Sequence, residues 1–378
     1  MISKITISNY KSIEKLKIPL TNVNVFIGEN GSGKSNILEA VGMACAAQTN
    51  QLTTEDLFNR GIRVAKPTLT FNSFLNKSQQ KEVEISLYTK EDEYKAYLLV
   101  ENENEIFTCW QNKNICIDEK ILDKLDNIKS LIDKAKNEKQ IEKVIEKLNK
   151  IDRSDIPFMD FIIFNLNANA LRGFTNISKK EPLGIYGENL DVLLSTFTSG
   201  QIGEIKSHNF INWLDDFIIS DNFQTGGYKL GRSSSKLYFT DKYMQRKNNL
   251  FSAENANEGA LHVLFYLALF ISEKTPAFFA IDNIETALNP FLCRELMKTI
   301  VKLAVKHNKQ VLITTHNPAI LDGLNLNDIS QKLFIVKRTN TGRTVTEELK
   351  AKPQLTEGKY KLSELWINGD IGGFPTDF

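Results

Sequence analysis

The chain has 378 residues, of which 42% are hydrophobic and 25% are charged, a composition typical of a folded protein long enough to bury two cores. Lysine and arginine number 47 and aspartate and glutamate 46, so the net charge of +1 excludes a protein that binds nucleic acid through a basic field over its whole surface. Any contact with DNA must therefore come from a local patch.

Membrane contact is not indicated by the sequence. The longest apolar stretch, from Gly259 to Ile271, contains His262 and is too short to cross a hydrocarbon layer of about 30 Å. The first fifteen residues lack the apolar core of a signal peptide. We therefore expect a cytosolic protein.

The cysteines and histidines do not form a recognisable metal or disulfide pattern. The four cysteines contain no CxxC pair, and we interpret them as reduced thiols rather than as a metal site. The four histidines show no HExxH grouping, so metal-dependent hydrolysis is not indicated by this pattern.

The first functional motif follows a predicted buried strand. Alternating apolar residues on either side of Asn9–Ser12 predict two short strands joined by a turn. The apolar run Val23–Ile27 then leads into the sequence GENGSGKS at residues 28–35, which fits the phosphate-loop pattern GxxxxGK[ST] in full. A helical pattern begins at Asn36, so the loop has the strand before it and the helix after it that this motif requires.

Each residue type in the phosphate loop, residues 28–35, has a chemical reason. Glycines allow backbone N–H groups to surround phosphates at a helix N-terminus, where the helix dipole favours anions. Lys34 supplies a positive charge to the same phosphates, and the Ser35 hydroxyl is a ligand for Mg²⁺. We therefore predict ATP and Mg²⁺ as cofactors. The predicted nucleotide-binding residues of this segment are Gly28, Asn30, Gly31, Ser32, Gly33, Lys34, Ser35 and Asn36.

Three later segments carry further candidate residues. Pro276–Asp282 reads as an apolar strand ending in a carboxylate, the Walker B arrangement that holds Mg²⁺ through water. Before it, Asn257–Ala260 opens a helical run. After it, Val311–Pro318 is a predicted strand with His316 at its C-terminal end.

Taken together, these segments resemble the ABC-type ATPases, and more closely the branch that contains the SMC proteins, RecF, the long-armed double-strand-break repair ATPases and the overcoming-lysogenization-defect (OLD) nucleases. The residues that carry the resemblance are NYKS at 9–12, GENGSGKSN at 28–36 and DNIETALNP at 282–290. The tail from Leu362 to Pro375 is similar to that of small stand-alone OLD-like ATPases of the AAA family, which are found beside bacterial defence genes.

The resemblance implies an α/β fold: an ABC-type P-loop ATPase head with a flanking antiparallel β-subdomain and a short helical insertion. We expect lobe I at residues 1–110, the insertion at 111–155 and lobe II at 156–378. Alternating apolar residues from Pro67 to Trp110 favour the antiparallel sheet. Three- and four-residue apolar spacing over 118–152 predicts two amphipathic helices whose charges form a solvated face or, alternatively, an arm that docks a partner protein or DNA.

The resemblance also implies roles for individual residues. Asn257, Glu258 and Gly259 match the signature motif, which binds the γ-phosphate held by a partner subunit, although the first position is usually Ser. His316 matches the switch histidine that reaches the γ-phosphate, and Asp282 matches the Mg²⁺-associated acid. A homodimer with ATP sandwiched between its two chains follows from these roles.

The chain departs from the family at the position after Asp282. The family has Glu there, which polarises the attacking water, whereas this chain has Asn283. An amide cannot take a proton at neutral pH, and general-base help is worth about 10²–10⁴-fold. Glu285 is the candidate for a displaced base or, alternatively, a loop residue at the dimer contact. We expect slow hydrolysis, with Asp282, Asn283, Glu285 and His316 as the catalytic set.

Three functions compete at this point. The preferred one is a dimeric sensor or switch subunit of an antiphage or toxin-antitoxin-like system, and its effector must be a separate protein because we expect no room for a TOPRIM nuclease after His316. The alternative is a RecF- or SMC-like DNA repair or DNA-clamp ATPase, for which DNA is a partner. The third, the nucleotide-binding subunit of a transporter, is disfavoured by the NYKS start and the absent LSGGQ-type signature.

Overall fold

A computed structural model of the chain describes residues 1–63, 66–75, 78–89, 94–102, 109–113, 160–174, 182–220, 235–245, 247, 249–351 and 361–372. Residues 114–159, which hold most of the predicted helical insertion, lie outside these ranges. The two amphipathic helices expected there and the domain boundaries at 110 and 155 therefore stay predictions.

The described residues form strands, α-helices and two short 3₁₀ segments. The strands are β1 (Ile2–Tyr10), β2 (Ile13–Pro19), β3 (Val23–Ile27), β4 (Val83–Thr89), β5 (Tyr94–Asn102), β6 (Cys109–Asn112), β7 (Ile163–Phe164), β8 (Leu214–Ile219), β9 (Leu237–Asp241), β10 (Leu250–Ser252), β11 (Phe278–Ile281), β12 (Gln310–Thr315), β13 (Gln331–Arg338) and β14 (Thr344–Glu348). The α-helices are α1 (Lys34–Gln48), α2 (Thr54–Asn59), α3 (Pro67–Thr70), α4 (Ala168–Leu171), α5 (Leu190–Ser195), α6 (Ser199–Ser207), α7 (Glu258–Ile271), α8 (Pro290–Lys306) and α9 (Leu362–Ile367), and the 3₁₀ segments are Ala253–Asn255 and Pro318–Gly323.

The central sheet has six strands in the order β14-β13-β3-β12-β11-β7, and all neighbours except β14 and β13 run parallel. In the register of these strands Ile27 lies opposite Thr315, and Ile313 lies opposite Ile281. The residues that follow β3, β12 and β11 therefore meet at one edge of the sheet. Those residues are the phosphate loop, His316 and Asp282.

Helix α1 lies between the central sheet and a five-stranded antiparallel sheet of order β2-β1-β4-β5-β6. Small residues allow it to be buried on nearly all sides; a Cβ at Gly42, for example, would come within 2.9 Å of the Ile62 side chain. This packing fixes the helix that the phosphate loop opens. A third sheet, β10-β9-β8, packs against a second hydrophobic core, the one that contains α7 and α8.

Helix α7 covers the opposite face of the central sheet and is buried along almost its whole length. Residues of α8 belong to the same hydrophobic core. A helix that is apolar on all sides is buried rather than amphipathic. The apolar stretch that the sequence shows at 259–271 is thus a core helix. Among the described residues no helix is long and apolar enough to span a membrane.

Most predicted elements of this fold are confirmed. The opening strands, the antiparallel sheet and the strands that carry the motifs are all present. Residues Pro67–Thr70, included in the predicted sheet region, instead form the short helix α3, with proline at its first position. Cys45 and Cys293 are free and buried.

Candidate functional site

The phosphate loop is shaped by close backbone packing and two left-handed glycines. Gly31 has φ 76° and Gly33 has φ 105°, both in the region that favours glycine. A Cβ at Gly28 would lie 2.0 Å from the Val336 carbonyl oxygen of β13, so that position excludes every side chain. No side-chain hydrogen bond caps α1, which leaves its first N–H groups available to an anion.

Lys34 folds back over the phosphate loop. Its Nζ donates to the carbonyl oxygens of Gly28 and Glu29, both at 2.8 Å, and lies 3.2 Å from His316 Nδ1. Burial lowers the pKa of the Lys34 ammonium to about 8, and the carboxylates of Asp282 and Glu285 oppose that shift. The lysine is therefore held at the position where phosphates would stabilise its charge.

Asp282 is joined to the phosphate loop by the hydroxyl of Ser35, which lies 3.1 Å and 3.0 Å from its two carboxylate oxygens. The Thr314 hydroxyl also donates to Asp282 Oδ1, and it accepts the backbone N–H of Asn283 at 2.9 Å. Thr314 is not among the residues predicted from the sequence. The sequence feature that could have identified it is a hydroxyl residue in a buried strand, two positions before the predicted histidine.

Ser35 and Asp282 fit the predicted Mg²⁺ site by the chemistry of their donors. A hydroxyl oxygen and a carboxylate at hydrogen-bond distance are oxygen ligands of the kind that Mg²⁺ prefers, and the ion usually keeps water and substrate phosphates for its other positions. In the described ranges no group of three or more His, Cys, Asp or Glu residues could hold a metal ion by itself. The site thus suits an ion that arrives with a phosphate ligand.

Asn283 and Glu285 lie in the Walker B loop, residues 282–288, which connects β11 to α8. Asn283 has φ 57°, a left-handed conformation in which asparagine is several-fold enriched among non-glycine residues. Glu285 Oε1 accepts the backbone N–H of His316 at 2.8 Å, whereas its Oε2 is buried and has no hydrogen-bond partner. One oxygen of Glu285 is therefore fixed and the other is available to a further donor.

His316 is exposed at the end of β12. Partial burial of its ring and the nearby Lys34 ammonium lower the pKa of the imidazole, which favours the neutral ring that can accept from Lys34. The structure thus brings together the phosphate-loop residues Lys34 and Ser35 and the candidate residues Asp282, Glu285 and His316.

The signature segment, Asn257–Gly259, is not part of this cluster. Asn257 caps α7 through a hydrogen bond from the Ala260 N–H to its side chain, 3.2 Å long. Within the described ranges no hydrogen bond or ion pair joins the segment to the phosphate loop of the same chain. Asn257 is exposed, as a residue that contacts a second molecule must be.

A second set of polar residues, not predicted from the sequence, supports the phosphate loop and helix α1 through hydrogen bonds and ion pairs. Ser12 Oγ lies 2.8 Å from Asn36 Nδ2 and 2.7 Å from Thr344 Oγ1. Thr344 in turn donates to the Ser32 carbonyl oxygen at 2.8 Å. The buried carboxylate of Glu39, one turn along α1 from Ser35, forms ion pairs with Lys11 and Arg63. The NYKS motif of the opening turn thus contributes to the site through Lys11 and Ser12.

The remaining predicted residues of the phosphate loop have less constrained surroundings. Asn30 and Gly31 form its exposed tip. A Cβ at Gly31 would meet nothing within 4 Å, so its requirement for glycine comes from its φ alone. The Ser32 hydroxyl is buried without a hydrogen-bond partner.

A parallel sheet that collects a phosphate loop, a Walker B carboxylate and a histidine at one edge, beside an antiparallel sheet, defines an ABC-type ATPase head. The chain belongs to the RecF/RecN/SMC N terminal domain family, whose model matches residues 1–341. An SMC head bound to the C-winged helix domain of ScpA has the same fold: it aligns with 93% of this chain and 98% of its own, at 16% identity and a TM-score of 0.56.

Sequence similarity to curated proteins is local. The DNA replication and repair protein RecF of Clostridium beijerinckii is 45% identical over 56 residues, 15% of either chain. RecF of Listeria welshimeri is 38% identical over 58 residues, 15% of this chain and 16% of its own. The uncharacterized protein MJECL10 of Methanocaldococcus jannaschii is 28% identical over 127 residues, 31% of this chain and 53% of its own. The matched stretches thus cover about a sixth of the RecF chains.

The lowered pKa of Lys34 predicts a pH dependence for nucleotide binding. A bound phosphate stabilises the ammonium and raises its pKa above the value of about 8 in the free protein. Affinity for Mg²⁺-ATP should therefore be full below pH 8 and fall by about tenfold per pH unit above it. Titration calorimetry from pH 7 to 9.5 measures this decline.

Two variants control that experiment. Lys34→Arg keeps its charge throughout, so its affinity, even if lower, should not show the decline. Lys34→Ala should not bind measurably. The same decline in Lys34→Arg would assign the pH dependence to another group.

Proposed function

We propose that the chain is an ATP-binding, slowly hydrolysing ATPase that works as a dimeric molecular switch. The observation that carries this proposal is the cluster of Lys34, Ser35, Asp282 and His316 at one edge of the parallel sheet. Its charge and its oxygen ligands are those needed for a nucleotide triphosphate with Mg²⁺.

In this mechanism Lys34 and the N–H groups of the phosphate loop bind the β- and γ-phosphates. Ser35 and Asp282 would hold Mg²⁺, which would supply positive charge to the phosphate oxygens. His316, whose Nδ1 faces Lys34, donates its other ring N–H to a γ-phosphate oxygen at the open side of the site. These groups orient the nucleotide and stabilise charge, which is the main contribution of a protein to phosphoryl transfer.

Glu285 is the general base in our proposal. Its Oε1 is held by the His316 N–H, and its unpartnered buried Oε2 can accept a proton from a water molecule. Asn283 cannot perform this step because its amide has no basic oxygen. Because Glu285 does not directly follow Asp282, we expect slower hydrolysis than in an ATPase head that has Glu at the position after Asp282.

Substitutions at residues 283 and 285 test the base. If Glu285 is the base, Glu285→Gln keeps the acceptor for His316 and should lower the single-turnover rate by about 10²-fold or more. Glu295→Gln, on α8 away from the site, is the matched control and should change nothing. Pre-bound ATP in a single-turnover experiment separates the chemical step from product release.

Asn283→Asp and Asn283→Glu complete this test, with Asp the better tolerated in a left-handed conformation. If Glu285 is the base, neither should raise the rate by more than a few-fold. A rise of about 10²-fold with an unchanged Glu285→Gln rate would instead show that the parent lacks a base, and the ATP-bound dimer would then be a long-lived state.

The exposed position of the signature segment supports the proposed dimer. Among the described residues no hydrogen bond joins Asn257, Glu258 or Gly259 to the phosphate loop of their own chain, and Asn257 is exposed. A second copy could bring its segment to the γ-phosphate, so that each of two ATP molecules lies between two chains.

We expect ATP to change the oligomeric state of the protein. Analytical ultracentrifugation should find a dimer of Glu285→Gln with Mg²⁺-ATP and a monomer without nucleotide, because the γ-phosphate completes the interface. Asn257→Arg should remain a monomer, since it places a bulky cation at the contact, and it should still bind ATP. A monomer of Glu285→Gln at saturating ATP would contradict the sandwich.

The finer role separates into two proposals. The RecF relatives support a DNA-directed ATPase, which would act in repair or as a clamp. The resemblance of the tail from Leu362 supports instead a sensor subunit of an antiphage or toxin-antitoxin-like system that acts on a separate effector.

DNA-stimulated hydrolysis distinguishes these roles. The rate of the parent should rise at least several-fold with double-stranded DNA if the role is DNA-directed, and the rise should shrink as salt increases because phosphate contacts release counterions. A rate that DNA does not change at low salt would favour the effector-coupled role.

A further inference from the structure

Tyr266 lies in the middle of α7, two turns after the signature segment that opens this helix. Its side chain is only 1% exposed, and its hydroxyl donates to the carbonyl oxygen of Ile284 at 3.2 Å. Ile284 stands between Asn283 and Glu285 in the Walker B loop. The hydroxyl thus links the signature helix to the candidate catalytic segment of the same chain.

The hydroxyl is a permanent donor in this environment. Burial raises the pKa of the Tyr266 phenol well above its ordinary value, and the nearby Glu285 carboxylate adds to the shift. The phenol is therefore protonated at neutral pH and can donate to the carbonyl oxygen. Since the oxygen is buried, the Ile284 carbonyl has no water to replace the bond if it is removed.

The signature segment approaches the Walker B loop at a second point. A Cβ on Gly259 would come within 3.0 Å of the Ala287 carbonyl oxygen, so the two backbones are in close contact. The loop itself is constrained, because Asn283 and Ala287 have positive φ values of 57° and 63°. A non-glycine residue in this conformation persists only where its surroundings hold it, and contacts with α7 and β12 do so here.

We propose that Tyr266 is a positioning residue that couples the signature segment to the Walker B loop of its own chain. The inference deepens the proposed function and rests on it, since the signature segment would contact the nucleotide of the partner subunit. A displacement of α7 by that contact is passed through the hydroxyl to Ile284, and so to Glu285. Each chain would in this way adjust its own catalytic loop to the state of the other site.

Tyr266→Phe tests the coupling because it removes only the hydroxyl. Tyr97→Phe is a matched control: Tyr97 is buried in the antiparallel sheet at 5% exposure, and its hydroxyl has no hydrogen-bond partner. Amide hydrogen exchange without nucleotide is the first measurement. Tyr266→Phe should raise exchange in residues 282–288 by about 3- to 10-fold, the loss expected for one net hydrogen bond, and should leave helix α8 unchanged.

Single-turnover hydrolysis is the second measurement. Tyr266→Phe should lower the rate by about 3- to 10-fold while the Kd for ATP stays within about twofold, since the hydroxyl touches no nucleotide-binding group. In the Glu285→Gln background the same substitution should have no further effect, because the loop then positions no base. Tyr97→Phe should match the parent in both measurements.

The outcomes separate this proposal from the proposed function. Tyr266→Phe that behaves like Tyr97→Phe in exchange and in rate would overturn the coupling while ATP hydrolysis stands. An equal loss of rate in the Glu285→Gln background would also overturn it, because the hydroxyl would then act elsewhere. If the parent hydrolyses ATP no faster than Lys34→Ala does, the proposed function fails. The hydrogen-exchange result alone then decides whether Tyr266 holds the Walker B loop.

Discussion

The parallel register of β3, β12 and β11 is the constraint on which the candidate site depends. Each strand ends at the same edge of the sheet, and each is followed at once by a polar residue or loop with a chemical role. Without that register Ser35 and Asp282, separated by 247 positions, would not share hydrogen bonds. Burial of α1 between two sheets and of α7 beneath the central one keeps the register fixed.

The sequence predicts those parts of the site that are local in the chain. The phosphate loop is recognisable because strand, glycines, lysine and helix follow one another within about twenty residues. The strands that end at Asp282 and His316 are recognisable because a buried run ends in a polar side chain. The signature helix is recognisable from its apolar run, because that pattern lies within one element.

The parts that could not be predicted depend on contacts between distant segments. Thr314 has a role only because β12 lies beside β11, which places its hydroxyl on Asp282 and on the Asn283 backbone. Asn283 reads in the sequence as a lost carboxylate, but its backbone is left-handed, a property that no spacing pattern reveals. The residue thus satisfies a conformational demand as well as removing a chemical group. Glu285 likewise gains its fixed oxygen from a backbone N–H at the end of another strand.

Thr344 has a consequence for how the protein is made. Its hydroxyl holds the Ser32 carbonyl across 312 positions of the chain, and Val336 of the neighbouring strand closes against Gly28. On a ribosome that adds about 5–20 residues per second, the loop at residues 28–35 would wait on the order of tens of seconds for these contacts. The phosphate loop would therefore emerge from the ribosome first and stay unsupported until β13 and β14 are synthesised. Any nucleotide binding that needs these contacts would therefore begin only after β14 has been synthesised.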